Sequence, residues 1–288
     1  MPEPSPPAVR LRELAVRFGN RILFEDLDLE IPRGEFLAVL GPNGSGKTTL
    51  LKVLLGLIEP SGGRVEINGR PPRRGSRHVG YVPQQRAFDP DLPIRGRDLV
   101  EFGLDGHRRG VPVSGPRTRS AVTRAIDAVG ARAYADAPIG RLSGGEQQRL
   151  RIAQALIGDP RVLLCDEPLL SLDLSQQDAV SELIDERRVQ AGTAVVFVTH
   201  EINPVLQYVD RVLYVVGGRW AVGTPEEVLT SERLSELYDT PVDVLNVRGR
   251  IIVVGAVDTV ITEPHGHHHH VDEDATHDQS LMGRRPRL

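Results

Sequence analysis

A glycine-rich segment near the start of the chain has the residue types that bind phosphate. Its spacing is G-x-x-x-x-G-K-[ST], which is filled in order by Gly41, Pro42, Asn43, Gly44, Ser45, Gly46, Lys47 and Thr48; Thr49 follows and is also expected at the phosphates. Glycines allow successive backbone N–H groups to turn toward phosphate oxygens, and a helix that follows adds its positive end. We expect Lys47 to reach the β- and γ-phosphates of a nucleotide and the Thr48 hydroxyl to bind Mg²⁺. The alternative is a glycine-rich turn with a lysine there by chance.

Two adjacent carboxylates, Asp166 and Glu167, follow the apolar run 162–165. A carboxylate at the end of a buried strand is a natural second anchor for Mg²⁺ beside a phosphate loop. A carboxylate one residue further can face the terminal phosphate and orient or deprotonate an attacking water. Alone, the pair would indicate a solvated turn. After a phosphate loop it predicts Asp166 as a metal ligand and Glu167 as the catalytic carboxylate.

A second glycine-rich segment, LSGGEQQR at 142–149, also has the residue types of an anion site. A serine hydroxyl and two glycine N–H groups stand at the start of a predicted helix, and the residues expected at the anion are Ser143, Gly144, Gly145 and Glu146. Ser143 and Glu146 also match the S-x-x-E capping box. The alternative is therefore a well-capped helix with a glycine pair.

These three segments, taken together, resemble the ABC ATPases. LSGGEQQR is similar to the signature motif of that family and stands just before the Asp166–Glu167 pair, as it does there. The resemblance extends over roughly residues 9 to 240. It implies that Ser143 acts on the γ-phosphate of a nucleotide held by a partner, so that two ATP molecules lie between two head-to-tail copies of the chain.

The same resemblance assigns roles to four further residues, which occur in the expected order. Gln84 matches the glutamine that touches Mg²⁺ and water, Asp173 the loop that crosses the dimer interface, and His200 the switch histidine at the γ-phosphate. Phe18 stands where the family places an aromatic ring against adenine. The alternatives are an ordinary surface or capping role for His200 and a core position for Phe18.

The elements that must position these residues alternate between strand and helix. Strands are predicted at 37–40, 79–83, 162–165 and 193–199, with helices at 47–58, 143–157 and 179–190. The fold class is therefore α/β, a P-loop NTPase core whose parallel sheet is covered on both faces. An antiparallel β subdomain precedes it, and a helical subdomain is inserted at about 86–140.

The chain is divided by composition into four parts. Residues 1–8 are expected to be a disordered lead, 9–240 the ATPase domain, 241–261 a short β extension, and 262–288 a flexible tail rich in His and acidic residues. Two strands at 242–247 and 250–254 flank Arg248-Gly249 and predict a hairpin in the extension.

Composition excludes several classes of protein. The formal charge of −4 gives no electrostatic drive toward nucleic acid or anionic lipid, and no partner of that kind is expected. The single cysteine, Cys165, lies in an apolar run and excludes a disulfide framework. No run approaches the roughly 18 apolar residues of a membrane span, and the start of the chain does not match a targeting peptide. We expect a peripheral protein on the cytoplasmic face of the membrane.

Within the family, the chain is predicted to be a stand-alone importer ATPase, with an iron–sulfur assembly ATPase as the alternative. No span is fused to it, it has one P-loop, and it has no long heptad segment. The segments 198–205 and 208–212 and the extension resemble the zinc and manganese importers, although siderophore, haem and cobalamin importers share much of this pattern. The partners implied are a second copy, integral permease subunits and, indirectly, an extracytoplasmic metal-binding protein; the cofactors are ATP and Mg²⁺.

The tail supplies a separate hint of metal binding. Four carboxylates are interleaved with six histidines, which are His265, His267, His268, His269, His270 and His277. Imidazoles and carboxylates at this density can chelate Zn²⁺ or similar ions loosely. An expression tag is the alternative, against which stand the glycine that interrupts the run and the residues that follow it.

Overall fold

The computed structural model describes residues 6–84, 88–105 and 115–255. Its strands are β1 (Val9–Phe18), β2 (Arg21–Ile31), β3 (Phe36–Leu40), β4 (Gly62–Ile67), β5 (Val79–Val82), β6 (Val162–Asp166), β7 (Ala194–Val198), β8 (Arg211–Val216), β9 (Arg219–Gly223), β10 (Asp243–Val247) and β11 (Arg250–Val254). Its α-helices are α1 (Lys47–Leu54), α2 (Gly96–Asp105), α3 (Pro116–Ala128), α4 (Gly144–Leu156), α5 (Leu174–Ala191), α6 (Pro225–Val228) and α7 (Ser231–Tyr238). Short 3₁₀ turns lie at Ile139–Arg141 and Leu206–Tyr208.

The central sheet has six strands in the order β5-β6-β7-β3-β8-β9. The first five run parallel, and β9 pairs antiparallel with β8. The predicted parallel sheet is therefore present with an antiparallel strand at one edge. A separate antiparallel sheet, in the order β2-β1-β4, confirms the predicted N-terminal β subdomain.

The two faces of the central sheet bury two different apolar clusters. Successive side chains of β3 alternate: Phe36, Ala38 and Leu40 join one cluster, and Leu37 and Val39 join the other. The first cluster includes the helices α2 to α5 and α7, and the second includes α1 and the antiparallel sheet. This alternation follows from the two-residue period of a strand and buries the sheet on both faces.

The buried strand β6 contains the only cysteine of the chain. Cys165 is buried as a free thiol in the first of these clusters, and burial raises its pKa. A thiol in this state is neutral and unreactive. The prediction that Cys165 is a small core residue is therefore confirmed.

Several predicted boundaries are wrong for identifiable reasons. The helix expected at 47–58 ends at Leu54, because Gly56 adopts a left-handed conformation with φ of 67° just beyond it. The helix expected at 179–190 begins five residues earlier, at Leu174, because Asp173 caps it. Ala8, expected in the disordered lead, is buried, and its carbonyl accepts a hydrogen bond from the N–H of Asn68.

Two further predictions agree with the structure. Helices α2 and α3 occupy the segment expected to be helical, and β10 and β11 form the expected hairpin. Strands β8 and β9 and the helices α6 and α7 were not predicted. Over the described ranges, no helix is long and apolar enough to cross a bilayer.

Candidate active site

The predicted site residues follow four neighbouring strands of the central sheet at the same edge. The phosphate loop follows β3, Gln84 follows β5, Asp166 ends β6, and His200 follows β7. In the sheet these strands stand in the order β5-β6-β7-β3 and run parallel. Their carboxyl ends therefore bring residues from four distant parts of the chain to one crevice, where open α/β sheets bind ligands.

The phosphate loop has backbone geometry that requires glycine. Gly41 has a φ of 139°, and a Cβ placed on it would lie 2.1 Å from the carbonyl oxygen of Val215. Gly46 has a φ of 109° directly before the first residue of α1. Between them, the hydroxyl of Ser45 is buried and has no hydrogen-bond partner among the described residues. A phosphate oxygen would supply the acceptor that this hydroxyl lacks.

Lys47 is buried at the start of α1, with its charge held against the loop. Its Nζ donates hydrogen bonds to the carbonyl oxygens of Gly41 at 2.6 Å and Pro42 at 2.9 Å. These contacts hold an ammonium group beside the helix N-terminus. The positive charge and the positive helix end together favour an anion in the loop.

Thr48 and Asp166 place two oxygen donors side by side. The Thr48 hydroxyl donates to Asp166 Oδ1 at 3.1 Å, although 118 residues separate the two in the chain. The Tyr81 hydroxyl lies 3.4 Å from the other carboxylate oxygen, Oδ2. Thr48 is exposed while Asp166 is buried, so the pair lies at the floor of a site open to solvent.

The charge on Asp166 is only partly compensated by the protein. Burial raises the pKa of this carboxyl group most, and the neighbouring charge of Glu167 raises it further, whereas hydrogen bonds from Thr48 and Tyr81 and the charge of Lys52 lower it. Burial and Asp166 together raise the pKa of Tyr81 to about 12, so Tyr81 is a neutral donor at physiological pH. Hydroxyl and carboxylate oxygens are ligands of hard divalent cations, and such a cation would supply the missing charge.

Glu167 is held in an unusual backbone conformation at the end of β6. Its φ is 48°, and its N–H still donates to the carbonyl oxygen of Val198 on β7. A left-handed backbone conformation costs free energy for a glutamate, and residues with such strained backbones cluster at functional sites. The Glu167 backbone is therefore anchored to β7 in a conformation that a regular strand does not have.

Gln84 and His200 flank the Glu167 carboxylate. Gln84 Nε2 lies 3.5 Å from Glu167 Oε2, at the outer limit of a hydrogen bond, and His200 Nδ1 lies 3.6 Å from the same oxygen. The Glu167 side chain is 16% exposed and that of His200 is 54% exposed. Long contacts of this kind are common in unliganded sites. The three side chains therefore lie together at the carboxyl ends of β5, β6 and β7.

Ser143 and Glu146 form the predicted capping box at the start of α4. The Ser143 N–H and hydroxyl both donate to Glu146 Oε2 at 2.8 Å, and the Glu146 N–H lies 3.4 Å from the Ser143 hydroxyl oxygen. Ser143 and Gly144 are exposed. Helix α4 packs against α2, α3 and β5, so this turn belongs to the helical layer. The Glu146 carboxylate therefore caps its own helix, as the S-x-x-E spacing predicted.

Helix α4 also touches the start of α5. A Cβ placed on Gly145 would lie 2.7 Å from the side-chain amide of Gln176. Asp173 is the N-cap of α5, and it accepts hydrogen bonds from the Gln176 N–H at 2.9 Å and the Ser175 hydroxyl at 2.8 Å. These bonds lower the pKa of Asp173. Gln176 thus contacts Gly145 next to the Ser143 turn with its side chain and Asp173 with its backbone N–H.

Phe18 ends β1 on the surface. Its side chain is 52% exposed, so the alternative of a core phenylalanine is wrong. Phe18 pairs with Arg21 across the β1–β2 hairpin, and Arg21 donates to the carbonyl oxygen of Gly44 in the phosphate loop. The exposed ring is therefore connected to the loop through one arginine.

Some site residues were missed by the sequence analysis. Tyr81 reaches Asp166 because β5 pairs with β6, and Arg21 reaches Gly44 from the separate antiparallel sheet; short motifs reveal neither contact. The Thr199 hydroxyl accepts from the N–H of Glu201 at 3.1 Å and donates to its carbonyl oxygen at 2.8 Å, which fixes the turn that carries His200. The threonine next to the histidine was the available signal. The predicted tail histidines lie outside the described residues.

Comparison with known proteins agrees with this geometry. The profile of the ABC transporter family matches residues 24–170. The zinc transport system ATP-binding protein TroB of Treponema pallidum is 35% identical over 231 residues, which are 80% of this chain and 86% of TroB. The zinc import ATP-binding protein ZnuC of Halorhodospira halophila is 36% identical over 233 residues, which are 81% of this chain and 83% of that protein.

A solved structure shares the fold. It is the ATP-binding cassette MJ0796 in a dimeric, post-hydrolysis state bound to ADP and phosphate. The likeness has a TM-score of 0.64 and 28% identity, and covers 75% of this chain and 98% of the other. The fold is that of an ABC ATPase domain. The chain belongs to the ABC transporter family, in which it is an ATP-binding member.

Proposed function

We propose that this chain is the ATP-hydrolysing subunit of an importer that takes up a divalent metal ion, zinc or manganese. The observation that supports hydrolysis is the convergence of Thr48, Asp166, Glu167, Gln84 and His200 at the carboxyl ends of four adjacent strands. The names of the related zinc proteins support the metal.

In the proposed reaction, ATP binds with its phosphates in the Gly41–Thr48 loop. The Ser45 hydroxyl and the Lys47 ammonium donate to phosphate oxygens, and Thr48 and Asp166 hold Mg²⁺. Mg²⁺, when bound, neutralises charge on the triphosphate. The loop and its lysine mainly position the nucleotide, which is the larger part of catalysis in phosphoryl transfer.

Glu167 orients the attacking water and takes its proton. Its carboxylate is largely buried, and its oxygen Oε2 lies within 3.6 Å of both Gln84 Nε2 and His200 Nδ1. Gln84 donates to this water or to the carboxylate, while His200 contacts the terminal phosphate. A positioned carboxylate of this kind contributes about 10²–10⁴-fold to the rate.

The active unit is a head-to-tail dimer. Ser143 and Gly144 are exposed at the start of α4, where the next residue, Gly145, packs against Gln176 of α5. A second copy would bring its Ser143 turn to the nucleotide. The dimeric state of the related cassette bound to ADP and phosphate supports this arrangement.

A groove between β5 and the helical layer is the proposed contact with a membrane permease. It has a volume of about 330 Å³, and residues from β5, α2 and α4 line it, among them Tyr81, Phe102 and Gln154. Phe102 is 47% exposed there. Tyr81 lines the groove and also contacts Asp166, so a single side chain connects the groove with the active site. A permease segment seated on Phe102 would therefore sense nucleotide state. This contact would hold the chain at the cytoplasmic face of the membrane as a peripheral subunit.

Metal uptake is tested by growth. A deletion strain of the source organism should stop growing when zinc or manganese is chelated, and excess of the transported ion alone should restore growth. The wild-type gene should complement the deletion, and Glu167→Gln should not. Restoration by haem, cobalamin or a siderophore instead would favour an importer of those compounds. Normal growth with defective iron–sulfur enzymes would favour a soluble assembly ATPase.

The histidine-rich tail is a proposed low-affinity sensor or buffer for the same ion. Its basis is composition alone, since six histidines lie between 265 and 277. Calorimetry with zinc at about pH 7.5 and 5.5 should give micromolar binding that weakens as imidazole is protonated near pH 6.5. A variant with these histidines replaced by glutamine should lose the binding but keep its basal ATPase activity. Undiminished binding would contradict the proposal.

A further inference from the structure

The hairpin of β10 and β11 exposes an apolar face. Of the eleven large hydrophobic side chains that are exposed among the described residues, five lie on these two strands, and four of the five lie on one face, with Val253 on the other. The register pairs Leu245 with Ile252, Asp243 with Val254, and Val247 with Arg250. Opposite residues in an antiparallel pair point to the same side, so these six side chains share one face.

The other face of the hairpin is attached to the body of the protein. Val244 and Ile251 pack against the core, and Asn203 binds the backbone of Ile251 twice, through its Nδ2 at 2.9 Å and its Oδ1 at 2.8 Å. The Val244 N–H donates to the Ser231 hydroxyl at 2.8 Å. The hairpin is thus held in one orientation, and its outer face is presented as a preformed surface.

The outer face is apolar at its centre and charged at two opposite corners. Leu245, Val247, Ile252 and Val254 are each between 44% and 49% exposed. Asp243 stands at the open end of the hairpin on β10, and Arg250 stands at the turn end on β11. The two charges therefore lie on a diagonal across the apolar patch.

This diagonal makes the face complementary to itself. If two copies pack face to face about a two-fold axis centred between Leu245 and Ile252, Asp243 of each copy lies opposite Arg250 of the other. The two ribbons then cross obliquely, as packed sheets do. Isologous contacts of this kind repeat every interaction twice. From this pattern we propose that the outer face of the hairpin is a docking surface for the same face of a second copy.

This contact differs from the nucleotide-bridged dimer. It uses no residue of the phosphate loop or of the Ser143 turn, and it requires no ATP. A two-stranded ribbon with a solvated apolar face is poorly stabilised alone, and burial of four aliphatic side chains from each copy would offset that exposure. The contact would keep two subunits together between cycles of ATP binding and hydrolysis.

The test is a charge exchange measured on the full chain without nucleotide. Sedimentation of the wild type should show a concentration-dependent dimer. Asp243→Arg and Arg250→Asp should each weaken it about tenfold, because two attractive contacts become repulsive. The double variant Asp243→Arg/Arg250→Asp should restore the wild-type dissociation constant, and an equal mixture of the two single variants should dimerise as well as the wild type. Leu245→Asp should abolish the dimer.

A matched variant separates this contact from a general effect of charge. Glu59→Arg makes the same charge change at an exposed position outside the hairpin and should leave association unchanged. Each variant should bind ATP and melt as the wild type does.

A wild type that stays monomeric at every concentration, or a double variant that dimerises no better than the single ones, overturns the proposal. If the outer face of the hairpin instead binds the chain's own tail or a different protein, the wild type should stay monomeric or the double variant should not recover. Failure here leaves the ATP-dependent dimer untouched, since that dimer is measured with nucleotide.

Discussion

The carboxylate of Glu167 and the imidazole of His200 lie 3.6 Å apart, Oε2 to Nδ1, at the ends of adjacent parallel strands. This distance is too long for a hydrogen bond. The Gln84 amide lies 3.5 Å from the same carboxylate oxygen. One carboxylate therefore lies next to both an amide and an imidazole, an arrangement suited to holding a water molecule beside a phosphate.

The first prediction is that Glu167→Gln binds MgATP normally and hydrolyses it at least about a hundredfold more slowly, because the amide cannot accept the proton of the water. Phosphate release and equilibrium ATP binding measure the two effects. Glu201→Gln is the matched control, since Glu201 is an exposed glutamate next to His200, and its activity should be unchanged. Dimers of Glu167→Gln should accumulate with MgATP. Wild-type turnover in this variant would exclude Glu167 as the catalytic carboxylate.

The second prediction separates the two glycine-rich segments. Lys47 is buried in the loop, so Lys47→Ala should lose ATP binding, whereas the exposed Ser143→Arg should keep ATP and lose hydrolysis. A mixture of the two inactive variants should recover part of the activity, since a heterodimer contains one complete site. Equal loss of ATP affinity in both variants, with no recovery on mixing, would contradict a shared site.

Local signals predicted the phosphate loop, the capping box at Ser143 and the carboxylates after β6, because each depends on neighbouring residues. Helix ends were less predictable: only the left-handed conformation of Gly56 shows that α1 stops at Leu54. Contacts made by strand pairing, such as that of Tyr81 with Asp166, required the order of the sheet. Strand β9 was missed because its sequence, RWAVG at 219–223, shows no clear alternation of polar and apolar residues.

The third prediction concerns Asp166, whose charge is costly without a cation. Burial raises the pKa of its carboxyl group in the folded state, so ionisation at neutral pH destabilises the metal-free fold. Asp166→Asn retains an acceptor for Thr48 and should melt at a higher temperature than the wild type at pH 7. The higher melting temperature of Asp166→Asn should vanish below about pH 4, because the wild-type carboxyl group is then protonated in the folded and the unfolded state alike.

Magnesium provides the opposing measurement for the same variant. With ATP and Mg²⁺, Asp166→Asn should gain less stability than the wild type, because it lacks the charge that binds the cation. Its hydrolysis should fall. Ser181→Ala is a control for the melting experiment, since it removes a buried hydroxyl that donates to the Gln177 carbonyl oxygen and lies outside the site. A metal-free Asp166→Asn that is less stable at pH 7 would show that its charge is compensated.

The last prediction concerns the exposed ring of Phe18, which is connected to the loop through Arg21 and Gly44. Stacking on a base is worth of order 1 kcal/mol, so Phe18→Ala should weaken ATP and ADP binding roughly fivefold to tenfold. Phe18→Trp should restore it. Ile22→Ala is the matched control on the same hairpin. Ile22 is also exposed, but it pairs with Arg17, whereas Phe18 pairs with the arginine that contacts the loop. Stacking tolerates any base, and GTP binding should weaken to the same extent as ATP binding. Pyrophosphate has no base, so its competition for the loop should be unchanged. Equal weakening of pyrophosphate would show that Phe18 supports the loop and does not hold the base.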